Sequence, residues 1–199
     1  ARPHDRIGLV AFARLAYTVS PLTTDHAWLV TNLKRIELGL MQDGTAVGSG
    51  LASSLARLKN TRAKSKIIIL LTDGMNNAGP IDPLAAARAA QAFGIKIYTV
   101  GAGTKGYAPF PVKDFLGRTI YQDVLIDLDE ETLKEIAKMT GGRYFRATDT
   151  ESLRQIYKEI DSLEKTKIEE HGYREYRELF GYLLLGALVL LSGEIILAN

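Results

Sequence analysis

The sequence predicts an α/β domain built on a mainly parallel sheet with helices on both faces, followed by one transmembrane helix. Three observations carry this. Short apolar runs rich in branched residues read as strands buried on both faces. Longer stretches with helix caps lie between them, and that alternation argues for parallel strands joined by helical crossovers. The third is an almost charge-free block near the C-terminus.

In chain order, Arg6 to Phe12 (RIGLVAF) is the first strand and Asp25 to Leu38 the first helix. Ala46 to Leu58 is a second helix, and Lys66 to Leu71 (KIIILL) a strand. Pro83 to Phe93 is helical, with Asp82 as its cap, Pro83 at the first helical position and Gly94 at its stop. Ile95 to Val100 (IKIYTV) is a strand. Tyr107 to Leu128 holds Pro109, Pro111 and Gly117 and lacks helical periodicity, so it predicts a hairpin, with its turn near Lys113 to Gly117 and Arg118 to Ile126 as its extended arm. This excursion is either a partner-facing loop or an insertion with no separate role. Glu130 to Met139 is a helix behind Asp129, Arg143 to Phe145 a strand after Gly141 and Gly142, and Glu151 to Leu163 a helix with a capping box from Thr148 to Glu151.

From Leu179 to Ala198 the chain reads LFGYLLLGALVLLSGEIILA, with Glu194 its one charge. At 1.5 Å per residue such a helix is about 30 Å long, the thickness of a bilayer core. Glu164 to Glu178 (EKTKIEEHGYREYRE) precedes it as a charged juxtamembrane stalk, with Tyr173 and Tyr176 at the level of interfacial anchors. The division is then 1–163 as one soluble domain, 164–178 as stalk and 179–198 as membrane helix. Lys165, Lys167, Arg174 and Arg177 before the helix favour a cytoplasmic domain, but without the far flank the side stays open. Ala1 is not Met and no leader pattern follows it, so the start is expected to be internal to a longer chain.

The 199 residues carry 25 Lys and Arg against 23 Asp and Glu, which excludes a polybasic nucleic-acid arm or an acidic tail as the dominant feature. A composition 46% hydrophobic excludes disorder over most of the length, and the absence of cysteine excludes disulfide scaffolds, zinc ribbons and thiol chemistry. A hydrolase is disfavoured: His4, His26 and His171 are scattered, and Ser53 and Ser54 fall inside a helix, not at a strand-to-helix elbow.

Ligands of an open α/β sheet gather beyond the carboxyl ends of its strands. Gly101 to Gly106 (GAGTKG) matches GxGxxG, but YAPFP follows and cannot open the helix a pyrophosphate would need, so the nucleotide reading is rejected. Thr72-Asp73-Gly74 places a carboxylate directly after a strand, although such a triplet also serves as simple turn chemistry. Asp43-Gly44-Thr45-Ala46 precedes a helix. Thr45 either caps that helix or points its hydroxyl across the crevice, where with Asp73 it offers oxygen ligands suited to Mg²⁺.

Taken in order, DRIGLVAF, DGTAVGSGLASSLARL, SKIIILLTDGMNNAG, GIKIYTVGAG and KMTGGRYFRATD resemble the von Willebrand factor type A domain, in its bacterial membrane-anchored aerotolerance subgroup (BatA or BatB). The resemblance covers about Asp5 to Leu163. It implies a Rossmann-like sheet, no catalysis, and a metal-ion-dependent adhesion site in which a divalent cation bridges the domain to an acidic group on a protein partner. By motif match Thr45 is that site's threonine and Asp73 its aspartate. The family's DxSxS loop occurs nowhere in this sequence, and by the resemblance the first strand here corresponds to the family's second. The cation site is therefore expected to be incomplete here, with Mg²⁺ weakly bound or absent, and a sheet without its central strand must close up or pair elsewhere.

The resemblance further implies an inner-membrane protein whose partners include sister Bat-type proteins and a MoxR-type AAA+ ATPase, with lipid around the C-terminal helix and no nucleic acid. The alternative is a subunit of a transport or channel assembly, which would need oligomerisation around Glu194.

Overall fold

A computed structural model describes residues 5–37, 39, 42–103, 106–113, 118–126 and 128–169. The chain divides into two units, Ala1–Ser162 and Leu163–Asn199. The predicted membrane helix and most of the stalk lie outside the described residues. Among the described residues no helix is long and apolar enough to cross a membrane.

The elements are β1 (Ile7–Phe12), β2 (Ala16–Thr23), α1 (His26–Leu33), α2 (Val47–Leu58), β3 (Ile67–Thr72), α3 (Pro83–Ala92), β4 (Lys96–Ala102), β5 (Gly106–Lys113), β6 (Thr119–Ile126), α4 (Glu130–Thr140), β7 (Tyr144–Ala147) and α5 (Thr150–Glu169). Strands β3, β4 and β7 form a parallel sheet in that order, with Ile67 opposite Lys96 and Thr99 opposite Tyr144. β5 and β6 form the predicted hairpin, paired from Gly106 with Ile126 to Lys113 with Thr119. β2 was missed. It carries Pro21, pairs antiparallel with β1, and makes a separate two-stranded sheet. Among the described residues β3 bonds only to β4, so the first hairpin and the parallel sheet share no ladder.

The core follows from strand alternation. Ile68, Leu70 and Ile97 are buried against Val47, Leu51 and Leu55 of α2, Ala86, Ala87 and Ala90 of α3, and Leu133 and Ile136 of α4. Because β3, β4 and β7 advance in one direction, right-handed crossovers put α3 and α4 on the same face. Tyr98 and Val100, which alternate to the other face of β4, are buried too, as are Ile156 and Ile160 of α5. Both faces of β4 are thus covered, as its near-continuous apolar run requires. Around β1, β2 and α1 the cover is thinner: α1 has no buried residue, and Trp28, Val30 and Leu33 are exposed.

Local signals fix the helix starts. Asp25, Asp82 and Asp129 each accept a hydrogen bond from a backbone N–H three residues on, at 2.8–3.0 Å. The first helix ends at Leu33, five residues before the expected Leu38. The capping box of α5 is displaced by one residue from the expected pair: Asp149 accepts from Ser152 N–H at 2.7 Å, and Ser152 Oγ accepts in return from Asp149 N–H at 3.1 Å. Glu151, the expected partner, instead accepts from Arg154 at 3.0 Å.

The Thr140-Gly141-Gly142 turn joins α4 to β7. Thr140 Oγ1 is buried; it accepts from Ile97 N–H at 3.0 Å and donates to the Ile136 carbonyl at 2.9 Å. Gly141 ends the helix at φ 74°, the left-handed cap that glycine adopts without strain. Gly142 packs directly against the Ile97 carbonyl, leaving no room for a Cβ.

Candidate functional site

The site lies beyond the carboxyl end of β3. The strand ends at Thr72, whose hydroxyl bonds to both the N–H (3.4 Å) and the carbonyl (3.2 Å) of Gly74 and holds a tight turn. Asp73 sits at the outside of this turn, exposed, with no ion pair or hydrogen bond among the described residues.

Thr45 arrives from the loop before α2, and the 73–79 loop clasps it. Thr45 N–H donates to Asn77 Oδ1 at 2.8 Å, and Asn77 N–H donates back to the Thr45 carbonyl at 3.1 Å. Beneath them Ala46 N–H bonds to the Ala13 carbonyl at 2.7 Å, anchoring the loop to the end of β1. A Cβ built on Gly74 would lie 3.1 Å from Thr45 Oγ1, so the threonine hydroxyl stands over the backbone of the residue after Asp73.

The two readings of Thr45 separate here. Thr45 does not cap α2. The N-cap position is Ala46, which has no side-chain oxygen, and Asn76 Oδ1, reaching across from the other loop, accepts from Val47 N–H at 2.9 Å. An orphan donor of the first turn is thereby satisfied from outside the helix, and among the described residues the Thr45 hydroxyl makes no hydrogen bond. Sequence reading did not single out Asn76 and Asn77. Their signal was present in MNN following TDG, but asparagines after an aspartate-glycine turn also read as ordinary loop residues.

Two glycines of α2 let the loops close in. Gly48 packs on the Ile81 carbonyl and Gly50 on the Phe12 ring, where a Cβ would come within 2.8 Å. On the loop side Gly79, at φ 85°, leaves room for Ser49 and Ala46.

Thr45 and Asp73 offer a neutral hydroxyl oxygen and a carboxylate, hard oxygens of the kind a cation such as Mg²⁺ takes, and the two would supply at most two of its usual six ligands. Among the described residues no group of three His, Cys, Asp or Glu stands together. The Gly101 to Gly106 loop takes a different course from a dinucleotide site: β5 begins at Gly106 and no helix opens there.

The von Willebrand factor type A domain family matches residues 1–159. An uncharacterised protein of Borreliella burgdorferi is 33% identical over 195 residues, covering 96% of this chain and 56% of its own length. The chain thus spans about half the length of the curated relatives it matches. Among solved structures, a conserved hypothetical protein BatB from Bacteroides thetaiotaomicron is similar with a TM-score of 0.65 and 29% identity, over 80% of each chain. An aerotolerance-related membrane protein from Bacteroides fragilis gives 0.62 and 27% identity, over 77% of each chain.

Proposed function

The chain belongs to the von Willebrand factor type A domain family, and from that premise we propose that it is a membrane-anchored, non-enzymatic interaction module that binds a protein partner through a divalent cation. The observation that supports this reading is that Asn76 serves the first turn of α2, while Thr45 Oγ1 stands beside the backbone of Gly74, the residue after Asp73. Mg²⁺ held there would bridge the domain to an acidic group on the partner. The remaining ligands would come from a DxSxS loop, a string these 199 residues do not contain, and the edge of β3 that pairs with no strand among the described residues is a place where the strand carrying that loop could pair.

The similar Bacteroides fragilis protein is named as a membrane protein, which supports reading 179–198 as a single membrane helix in a bacterial inner membrane. The partners of this reading are sister Bat-type proteins and a MoxR-type ATPase.

Titration calorimetry tests the site. The chain as given should bind Mg²⁺ weakly, and a longer form bearing DxSxS should bind it well. In that form Asp73→Ala should lower affinity by about ten-fold or more, given that even outer-shell partners of a metal contribute 10- to 100-fold. Tight binding by the 199-residue chain, or partner capture unchanged by Asp73→Ala in the longer form, overturns the proposal.

A further inference from the structure

The three connections entering the parallel sheet at its amino end are uniformly basic. Residues 59–66, which lead into β3, carry Lys59, Arg62, Lys64 and Lys66; Lys96 opens β4; Lys138 in the last turn of α4 and Arg143 precede β7. No Asp or Glu interrupts 59–66, 93–96 or 138–143. The opposite end is net acidic: 73–82, 128–131 and 148–151 carry Asp73, Asp82, Asp129, Glu130, Glu131, Asp149 and Glu151, against Arg14 beside the 42–46 loop and Arg146, which is bridged to Glu130 at 2.6 Å. The charge is therefore unevenly spread along the strands, with the amino end the more basic.

Lys59, Arg62, Lys64 and Lys138 are exposed and have no ion pair among the described residues. Arg143 is held by Glu159 of α5 at 2.6 Å. That bridge also fixes the direction of α5. The helix is capped at Asp149, beyond the carboxyl end of β7, and by Glu159 it has come level with the amino end of the same strand. The first unit ends at Ser162, one turn further on, so its chain leaves on the basic side. From there 16 residues, 163–178, separate it from the apolar stretch 179–198.

We propose that this basic end docks on the anionic headgroups of the bilayer in which 179–198 is anchored, which points Thr45 and Asp73 away from the membrane toward an arriving partner. The inference rests on the membrane-anchor reading of the previous section. Charge complementarity and the point of chain exit select the same occupant, a negatively charged lipid surface, and such attraction fades within a Debye length, about 10 Å at 0.1 M salt. Each Lys or Arg at an anionic surface favours the docked state about five-fold, so neutralising two should lower the docked-to-undocked ratio about 25-fold.

The native chain has no cysteine, so single fluorophores can be attached through Ala63→Cys at the basic end and Met75→Cys at the opposite end. The full chain is reconstituted into zwitterionic vesicles, or into vesicles containing about one-third anionic phospholipid, both doped with a headgroup nitroxide quencher. The expected result is quenching at position 63 but not at 75, only with anionic lipid, lost in high salt and lost with Arg62→Gln/Lys64→Gln. Equal quenching at both positions, or quenching at 63 that ignores lipid charge, overturns the proposal. No quenching at 63 in anionic vesicles overturns it as well and leaves the basic end to an acidic protein. Retention in zwitterionic vesicles after alkaline extraction reports on the anchor alone. If the chain is not retained, charge-dependent binding to anionic vesicles through position 63 still supports the basic face, while the anchor reading fails by itself.

Discussion

Gly48→Ala is the substitution whose outcome depends most directly on how the site loops are seated. In an exposed helix interior the change would be favourable by about 1 kcal/mol, because alanine lacks glycine's backbone entropy penalty. Here a Cβ on Gly48 would run into the Ile81 carbonyl, with the Ile81 carbonyl carbon at 2.7 Å and the Asp82 carbonyl carbon at 3.0 Å. These are backbone atoms in a segment tied down by the Asp82 cap of α3, so no side chain can rotate away. Overpacking of this kind costs about 1–3 kcal/mol, occasionally more, and the upper part of that range outweighs the propensity gain, leaving a net loss of about 2 kcal/mol. With a urea slope of about 2 kcal/mol per M, the midpoint should fall by about 1 M. Gly50→Ala is the internal control. Its Cβ would meet only the Phe12 ring, at 2.8 Å, and a ring can tilt, so its midpoint should stay within about 0.5 M of the native one. Urea unfolding followed by circular dichroism decides the matter. A midpoint for Gly48→Ala equal to or above the native value would refute the close seating of the 79–82 backbone on α2.

Thr140→Val should destabilise by about 1–3 kcal/mol despite its matching shape, because it strips the buried Ile97 N–H of its 3.0 Å acceptor; the same urea titration reads it. The Asp149 carboxyl is held below its ordinary value, first by the backbone N–H of Ser152 and then by the Thr148 hydroxyl. A depressed folded value means that its contribution to α5 is complete above the unfolded value near 3.9 and is lost as pH falls through the lower folded value. Asp149→Asn should therefore flatten the acid end of the stability curve below about pH 4 and change little at pH 7 in its slope; parallel slopes for both proteins down to pH 2 would contradict the cap.

Much of the fold was written in local chemistry. Asp82 with Pro83 and Asp129 with Gly141 marked two helices at both ends, because caps and left-handed glycines act within a few residues. IKIYTV announced a parallel strand buried on both faces, because two covered faces demand an unbroken apolar run; KIIILL announced a parallel strand too, but only its Ile68 and Leu70 face is buried, and Leu71 on the other face is exposed. The loss of helical periodicity over 107–128, with Gly117 for a turn, announced the hairpin. AYTVSPLT failed to announce β2, since Pro21 demotes a run from strand, and an antiparallel edge tolerates it where a central strand would not.

The site divides in the same way. Sequence alone placed Thr45 before a helix and Asp73 after a strand, and motif resemblance paired them. It could not say what the Thr45 hydroxyl does, because its role depends on which group reaches the first turn of α2, and that group, Asn76, lies about thirty residues away along the chain. Nor could it show that seven scattered basic residues share one end of the domain. Capping and strand burial are short-range in sequence and legible there; the freeing of a hydroxyl and the sign of a surface are set by crossovers that bring distant loops together, and only the tertiary structure decides them.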